Sequence, residues 1–167
     1  MGYKKIKTLT GLNKALRSVV RAEKNKIVFT NGCFDILHPG HVDYLAKAKA
    51  LGDILIVGLN SDSSVRKLKG KGRPIVSQGN RAKVLSGLES VDFVVIFSDP
   101  TPIKLIKAVK PDVLVKGGDW PVKDIVGSDF VRFRGGKVKS LPYLKGHSTK
   151  AVINKILLSR KISPSAR

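Results

Sequence analysis

Two of the chain's three histidines, His38 and His41, stand three residues apart in the stretch TNGCFDILHPGH, Thr30 to His41. At i and i+3 on a first helical turn they lie on one side. The stretch leaves an apolar run and enters a helix. The free backbone N–H groups of that helix start, with the helix dipole, make an anion site. Gly32 lets a ligand approach the backbone closely, and Gly40 leaves room between the two imidazoles. Two donors and a helix N-terminus aimed at one place suit a phosphate chain. The competing reading is a pair of solvated loop histidines. A structural zinc site fits poorly, because no Cys or carboxylate cluster stands at ligand spacing. Cys33, the only cysteine, reads as a small buried residue rather than a nucleophile.

These residues need a scaffold, and the apolar pattern describes one. Short buried strands are expected at Lys26–Thr30, Asp53–Leu59, Asp92–Phe97, Asp112–Lys116 and Lys137–Leu141. Helical spacing covers 9–24 (Leu9, Leu12, Leu16, Val19, Val20), His41–Leu51, Asn80–Leu88 and Thr101–Val109. A last helix, Ser148–Ser159, places Val152, Ile153, Ile156 and Leu157 on one face. Residues 60–79 read as a polar loop rich in Gly and Lys, and 119–134 as ambiguous. Strands alternating with helices imply a parallel sheet covered on both faces. The expected fold is a doubly wound, Rossmann-like α/β domain with five parallel strands. Such sheets bind ligands beyond their carboxyl ends, at the switch in strand order. The loops Asn31–His41, Asn60–Arg81 and Gly117–Trp120 are then expected to meet at one site.

At 167 residues the chain fits one domain. Its expected parts are an N-terminal helix within 1–25, a catalytic core at 26–158 and a flexible tail at 160–167. The balance of 32 Lys+Arg against 12 Asp+Glu, a net charge of +20, invites a nucleic-acid reading. The basic residues, however, are spread from Lys4 to Arg167 with no aromatic-rich RNA-binding motif. Nucleic acid is therefore the alternative from another class, and a site for small polyanions the main reading. No apolar run approaches the roughly 20 residues that span a bilayer, and the basic N-terminus lacks the apolar core of a secretory signal. With a single cysteine, this points to a cytoplasmic protein with no membrane partner.

His38-Pro39-Gly40-His41 resembles the HxGH signature of the cytidylyltransferase-like nucleotidyltransferases. The likeness extends to LGDILIVGLNSD (51–62), RPIVSQGNRAKVL (73–85), VKGGDW (115–120) and GHSTK (146–150), and so runs from about Lys26 to Ile156. Within that superfamily the chain is most similar to the adenylyltransferase domain of ADP-heptose synthases. It departs from that pattern twice. The bifunctional form's sugar kinase half is lacking, so a separate kinase is expected upstream. Lys150 stands where the second threonine of S-T-T usually lies.

The resemblance implies in-line transfer of AMP from ATP to a sugar 1-phosphate, namely D-glycero-beta-D-manno-heptose 1-phosphate. The products would be ADP-heptose and pyrophosphate, formed by positioning and charge stabilisation with no covalent intermediate. His38, His41 and Lys69 would be catalytic. Asn31, Gly32, Cys33, Phe34, Gly40, Arg81, Lys116, Gly117, Ser148 and Thr149 would hold the nucleotide, Arg81 by gripping the triphosphate or by bracing the loop. Lys67 and Lys71 would close over phosphates with Lys69. Asp35 would touch Mg²⁺ through water, orient a histidine, or merely cap the turn. Asp119 would bind ribose, base or sugar, or form a plain turn. Mg²⁺ would ride on the ATP, since no carboxylate cluster offers a cage. A cytidylyltransferase for glycerol-3-phosphate or phosphoethanolamine and an FMN adenylyltransferase are the alternatives within the superfamily. A homodimer is left open.

Overall fold

The computed structural model describes residues 2–22, 25–118 and 120–162. Its strands are β1 (Ile6–Lys7), β2 (Ile27–Gly32), β3 (Ile54–Asn60), β4 (Phe93–Phe97), β5 (Val113–Gly117) and β6 (Lys137–Leu141). Its helices are α1 (Leu9–Ala22), α2 (Pro39–Lys49), α3 (Asp62–Lys69), α4 (Gln78–Ser86), α5 (Ile103–Val109), α6 (Ser128–Phe133) and α7 (Thr149–Ile162). The strands form one sheet in the order β1-β4-β3-β2-β5-β6, and every pairing is parallel.

Period-two alternation sorts the strand side chains into two cores. Ile27, Phe29, Ile54, Ile56 and Leu114 face one side, where Leu12 and Leu16 of α1 and Leu105, Ile106 and Val109 of α5 pack on them. Val28, Leu55, Val57, Val113 and Val115 face the other, under Tyr44, Leu45 and Ala48 of α2 and Ala82 and Leu85 of α4. Both faces are covered, as the near-continuous apolar runs require.

The sheet has six strands rather than five. The extra one, Ile6–Lys7, pairs with Val94 and Val95 of β4. Two residues are too few to show any alternation, so the strand left no pattern to read. It covers what would otherwise be an open edge on β4, and Lys5 Nζ fastens it by donating to the Leu88 carbonyl at 3.0 Å.

Residues 60–79 also depart from expectation, because they contain a full helix, α3. Ser61 caps it, its hydroxyl accepting from Ser64 N at 3.3 Å. Asp62 lies in its first turn and Lys69 in its last, the charge order the helix dipole favours. Val65 is its one buried apolar residue, so no apolar period betrays it.

The ambiguous stretch holds α6. The last helix runs past Ser159 to Ile162. Its Val152 and Ile153 are half-buried, whereas Ile156 and Leu157 of the same stripe are exposed. Glu23 and Lys24 of the first expected helix, and 163–167 of the expected tail, lie outside the described residues. No helix among the described residues is long and apolar enough to cross a membrane.

The strand order reverses at β2. The chain runs from β2 through β3 to β4 on one side, then crosses to β5 and β6 on the other. The connections after β2, β3 and β5 therefore leave the same edge of the sheet side by side.

Candidate active site

His38 is the N-cap residue of α2, in extended conformation with φ −145° and ψ 167°. Its carbonyl accepts from His41 N at 2.9 Å. No side chain caps this helix, its first turn carries no acid, and Pro39 at the start has no N–H to leave unpaired. The helix start therefore presents its dipole without a competing carboxylate.

The two imidazoles stack, with centroids 3.8 Å apart and planes 25° from parallel. Phe34, held at a left-handed φ of 43°, places its ring 5.3 Å from that of His41. Each histidine's Nδ1 is buried without a hydrogen-bond partner. Burial, and then the neighbouring His38, push the His41 pKa down to about 4. Burial, and then His147, lower that of His38. Near neutral pH the pair is thus uncharged. It offers N–H donors to an anion, and the anion's charge would draw protons back onto it.

Gly40 makes its room in a different place from the one expected. The rings touch each other directly, and a Cβ on Gly40 would lie 3.1 Å from His38 Cε1 and Nδ1 and 3.2 Å from the His147 Cβ. The space above Gly40 is shared by His38 and the segment that leads into α7. His147 was absent from the sequence-derived site. Its only signal was being the third histidine, placed directly before Ser148 and Thr149.

Arg81 is 1% exposed, and its guanidinium is spent on the protein. Nε donates to Val76 O at 2.9 Å. Nη1 donates to Cys33 O at 2.5 Å and Asn60 O at 2.9 Å, and Nη2 to Asp62 at 2.7 Å. This geometry is the brace and not the triphosphate grip. It ties the loop after β2 to the loop after β3. Asp35 works as a second tie. Its carboxylate accepts from Arg73 Nε at 2.5 Å, from Ile75 N at 2.9 Å and from Val76 N at 2.8 Å. Burial alone would raise its pKa, but the N–H groups of Val76 and Ile75 and the Arg73 guanidinium outweigh that and lower it. A carboxylate so fully engaged anchors the 73–76 segment and has little left for a cation. Arg73, not in the sequence-derived set, belongs to this anchor.

Three charged or polar groups converge beside the loop after β2. Lys116, on β5, reaches Asn31 O at 3.4 Å. Its pKa is lowered by burial, raised by Cys33 and lowered again by Lys69. Burial raises the Cys33 thiol, while Lys69, Arg81, Lys116 and Arg73 pull it down. Lys116 thus lies at Asn31, and the charges of Lys69 and Lys116 both act on Cys33. Lys67, Lys69 and Lys71 are all exposed; of the three, Lys69 is the one whose charge acts on Cys33 and Lys116. Gly117 and Gly118 lie under the Tyr143 ring, which would be 2.9 and 2.8 Å from a Cβ at those positions. Asp119 lies outside the described residues. Ser148 caps α7, its Oγ accepting from Ala151 N at 3.1 Å, and Thr149 opens that helix. Among the described residues no group of three His, Cys, Asp or Glu could hold a metal ion.

A family model described as cytidylyltransferase-like matches residues 29–140, which contain most of this site. The chain is 64% identical over 136 residues to the bifunctional protein HldE of Wolinella succinogenes, covering 81% of this chain and 28% of that protein. It is 52% identical over 156 residues to the bifunctional protein HldE of Geobacter metallireducens, covering 92% of this chain and 31% of that one. The chain thus spans about three tenths of the length of these curated relatives. Among solved structures, the lipopolysaccharide core biosynthesis protein from Thermoplasma volcanium superposes with a TM-score of 0.60 at 31% identity. That match covers 74% of this chain and 99% of the other.

Proposed function

We infer the reaction from a premise the comparisons establish: the chain belongs to the cytidylyltransferase-like family, and its chemistry is that of a nucleotidyltransferase. The reaction we assign is transfer of AMP from ATP to a sugar 1-phosphate, with a heptose 1-phosphate as acceptor, giving an ADP-sugar and pyrophosphate. The observation that carries it is the stacked His38–His41 pair. It is neutral, makes no hydrogen bond to the protein through either Nδ1, and stands at an acid-free helix start where the strand order reverses. The heptose rests on the likeness to the HldE proteins and on the sequence motifs shared with ADP-heptose synthases.

An acceptor phosphate oxygen forms a bond to the α-phosphorus. The bond from that phosphorus to the α–β bridging oxygen breaks, and pyrophosphate leaves with the electron pair. A phosphate monoester is already anionic, so no strong base is required. The chain's part is to orient the phosphates and meet the charge that builds on them. His38 and His41 donate N–H groups to phosphate oxygens. Lys69 and Lys116 supply positive charge that acts on Cys33, and Lys116 lies at Asn31. The starts of α2 and α7 add backbone N–H groups. Arg81 and Asp35 keep these loops in register without touching substrate. Mg²⁺ would arrive with the ATP, since among the described residues no group of His, Cys, Asp or Glu offers it a protein cage.

The test is pyrophosphate release with each of four nucleoside triphosphates against a panel of phosphorylated sugars and glycerol-3-phosphate. ATP with heptose 1-phosphate is expected to give the highest kcat/KM. A clear preference for CTP with glycerol-3-phosphate would replace this reading with the cytidylyltransferase one.

A further inference from the structure

We propose that His147 is a positioning residue of this site, packing across Gly40 against His38 and seating the first turn of α7 beside the imidazole pair. The inference rests on the nucleotidyltransferase reading and adds to it a residue from the C-terminal part of the chain.

Any side chain at position 40 would run into His38 on one flank and the His147 Cβ on the other, both within 3.2 Å. The two histidines therefore approach each other over the one glycine of the HPGH turn. Gly146, at φ 80°, turns the chain into this contact. Ser148 follows at once as the cap of α7. The α2 and α7 starts are thereby brought together beside His38, and an anion there would meet two helix N-termini.

Electrostatics agrees with the contact. The titratable groups facing His38 are His41 from α2 and His147 from the segment before α7. After burial, His147 is the cause that disfavours a charge on His38. Replacing His147 by a neutral residue removes that repulsion, so His38 should take up its proton at higher pH. A lysine at 147 places a permanent positive charge there and should hold His38 depressed.

The experiment uses the full chain and four proteins: wild type, His147→Ala, His147→Gln and His147→Lys. The His38 imidazole is titrated by NMR without ligand, and kcat and KM are measured with ATP and the acceptor. His147→Ala and His147→Gln are expected to raise the His38 midpoint, and His147→Lys to leave it near that of wild type. His147→Ala should lower kcat/KM on the order of ten- to a hundredfold, the scale of a misplaced reacting group. His147→Gln should recover part of that loss by refilling the space. An unchanged His38 midpoint in His147→Ala overturns the proposal. So does a kcat/KM within about twofold of wild type. A wild type that turns over no triphosphate would instead refute the functional reading, while the titration still decides the contact.

Discussion

His41 keeps its imidazole neutral because the ring is packed between His38 and Phe34 with its Nδ1 unpartnered. That has a consequence for stability. The His41 pKa is about 4 in the folded chain against an ordinary 6.5, so the unfolded chain binds more protons between those values. Stability should therefore fall as pH is lowered through that window and be fully present above it. His41→Gln cannot titrate, and its melting temperature should fall less than that of wild type between pH 7 and pH 4. Equal slopes in thermal scans of the two proteins would contradict the burial argument. Asp35 has the same sign but a lower window, since its pKa is also lowered on folding. Its lowered pKa means its contribution is present above its ordinary value of 3.8 and is lost only below it, so it does not confuse the comparison. At this scale the sequence was informative about residue type and poor about role. The HPGH spacing identified both imidazoles. Nothing in the sequence showed that the Arg81 guanidinium is consumed by Val76, Cys33, Asn60 and Asp62. Those partners come from the loop after β2, the junction of β3 with α3 and the segment before α4, and only the folded sheet edge brings them together.

The helix α3 is the element that changes the reading most. On a loop, Lys67, Lys69 and Lys71 could all close over the phosphates, and the resemblance alone singles out Lys69. On a helix, residues two apart do not share a face, and Lys71 lies beyond the Gly70 cap. Lys69 is the lysine whose charge reaches Cys33 and Lys116. Lys69→Ala should raise KM for ATP roughly tenfold or more, the loss of one charge-assisted hydrogen bond. Lys67→Ala should stay close to wild type. Steady-state kinetics on the two variants, beside their melting temperatures, checks this. A larger effect from Lys67 would mean that α3 is turned about its axis relative to this structure. The helix escaped notice because its signals were a serine cap and a charge order rather than a hydrophobic period. The strand β1 escaped for a related reason, since its two residues form a strand only because β4 offers them an edge. Strands β2 to β5 were legible because burial on both faces made them largely apolar, and the boundaries of these and of β6 agree with the structure to within two residues.

Across the whole molecule, the net charge of +20 can be set against where charge is concentrated. The charges of Lys69, Lys116 and Arg73 act together on Cys33 at the carboxyl edge of the sheet, where Asp35 is tied to Arg73 and Asp62 to Arg81. A basic chain whose site-edge carboxylates are engaged favours polyanionic substrates without requiring nucleic acid. The doubly wound topology was legible from alternation of strands and helices, and with it the edge where the site had to lie. The meeting of the α7 start with HPGH was implied only by the resemblance, which puts Ser148 and Thr149 at the nucleotide; more than a hundred residues separate the two segments and no periodicity links them. The central claim is that HPGH is where nucleotidyl transfer occurs, and pyrophosphate release by wild type, His41→Ala, His38→Ala and His38→Asn tests it most directly. His41→Ala removes a donor of the kind that serves a developing oxyanion, and its turnover should drop about a hundred- to a thousandfold while cooperative unfolding is retained. His38→Asn, which can still donate through its amide, should keep more activity than His38→Ala. Turnover near that of wild type in His41→Ala, in a protein that remains folded, would contradict the assignment of this site.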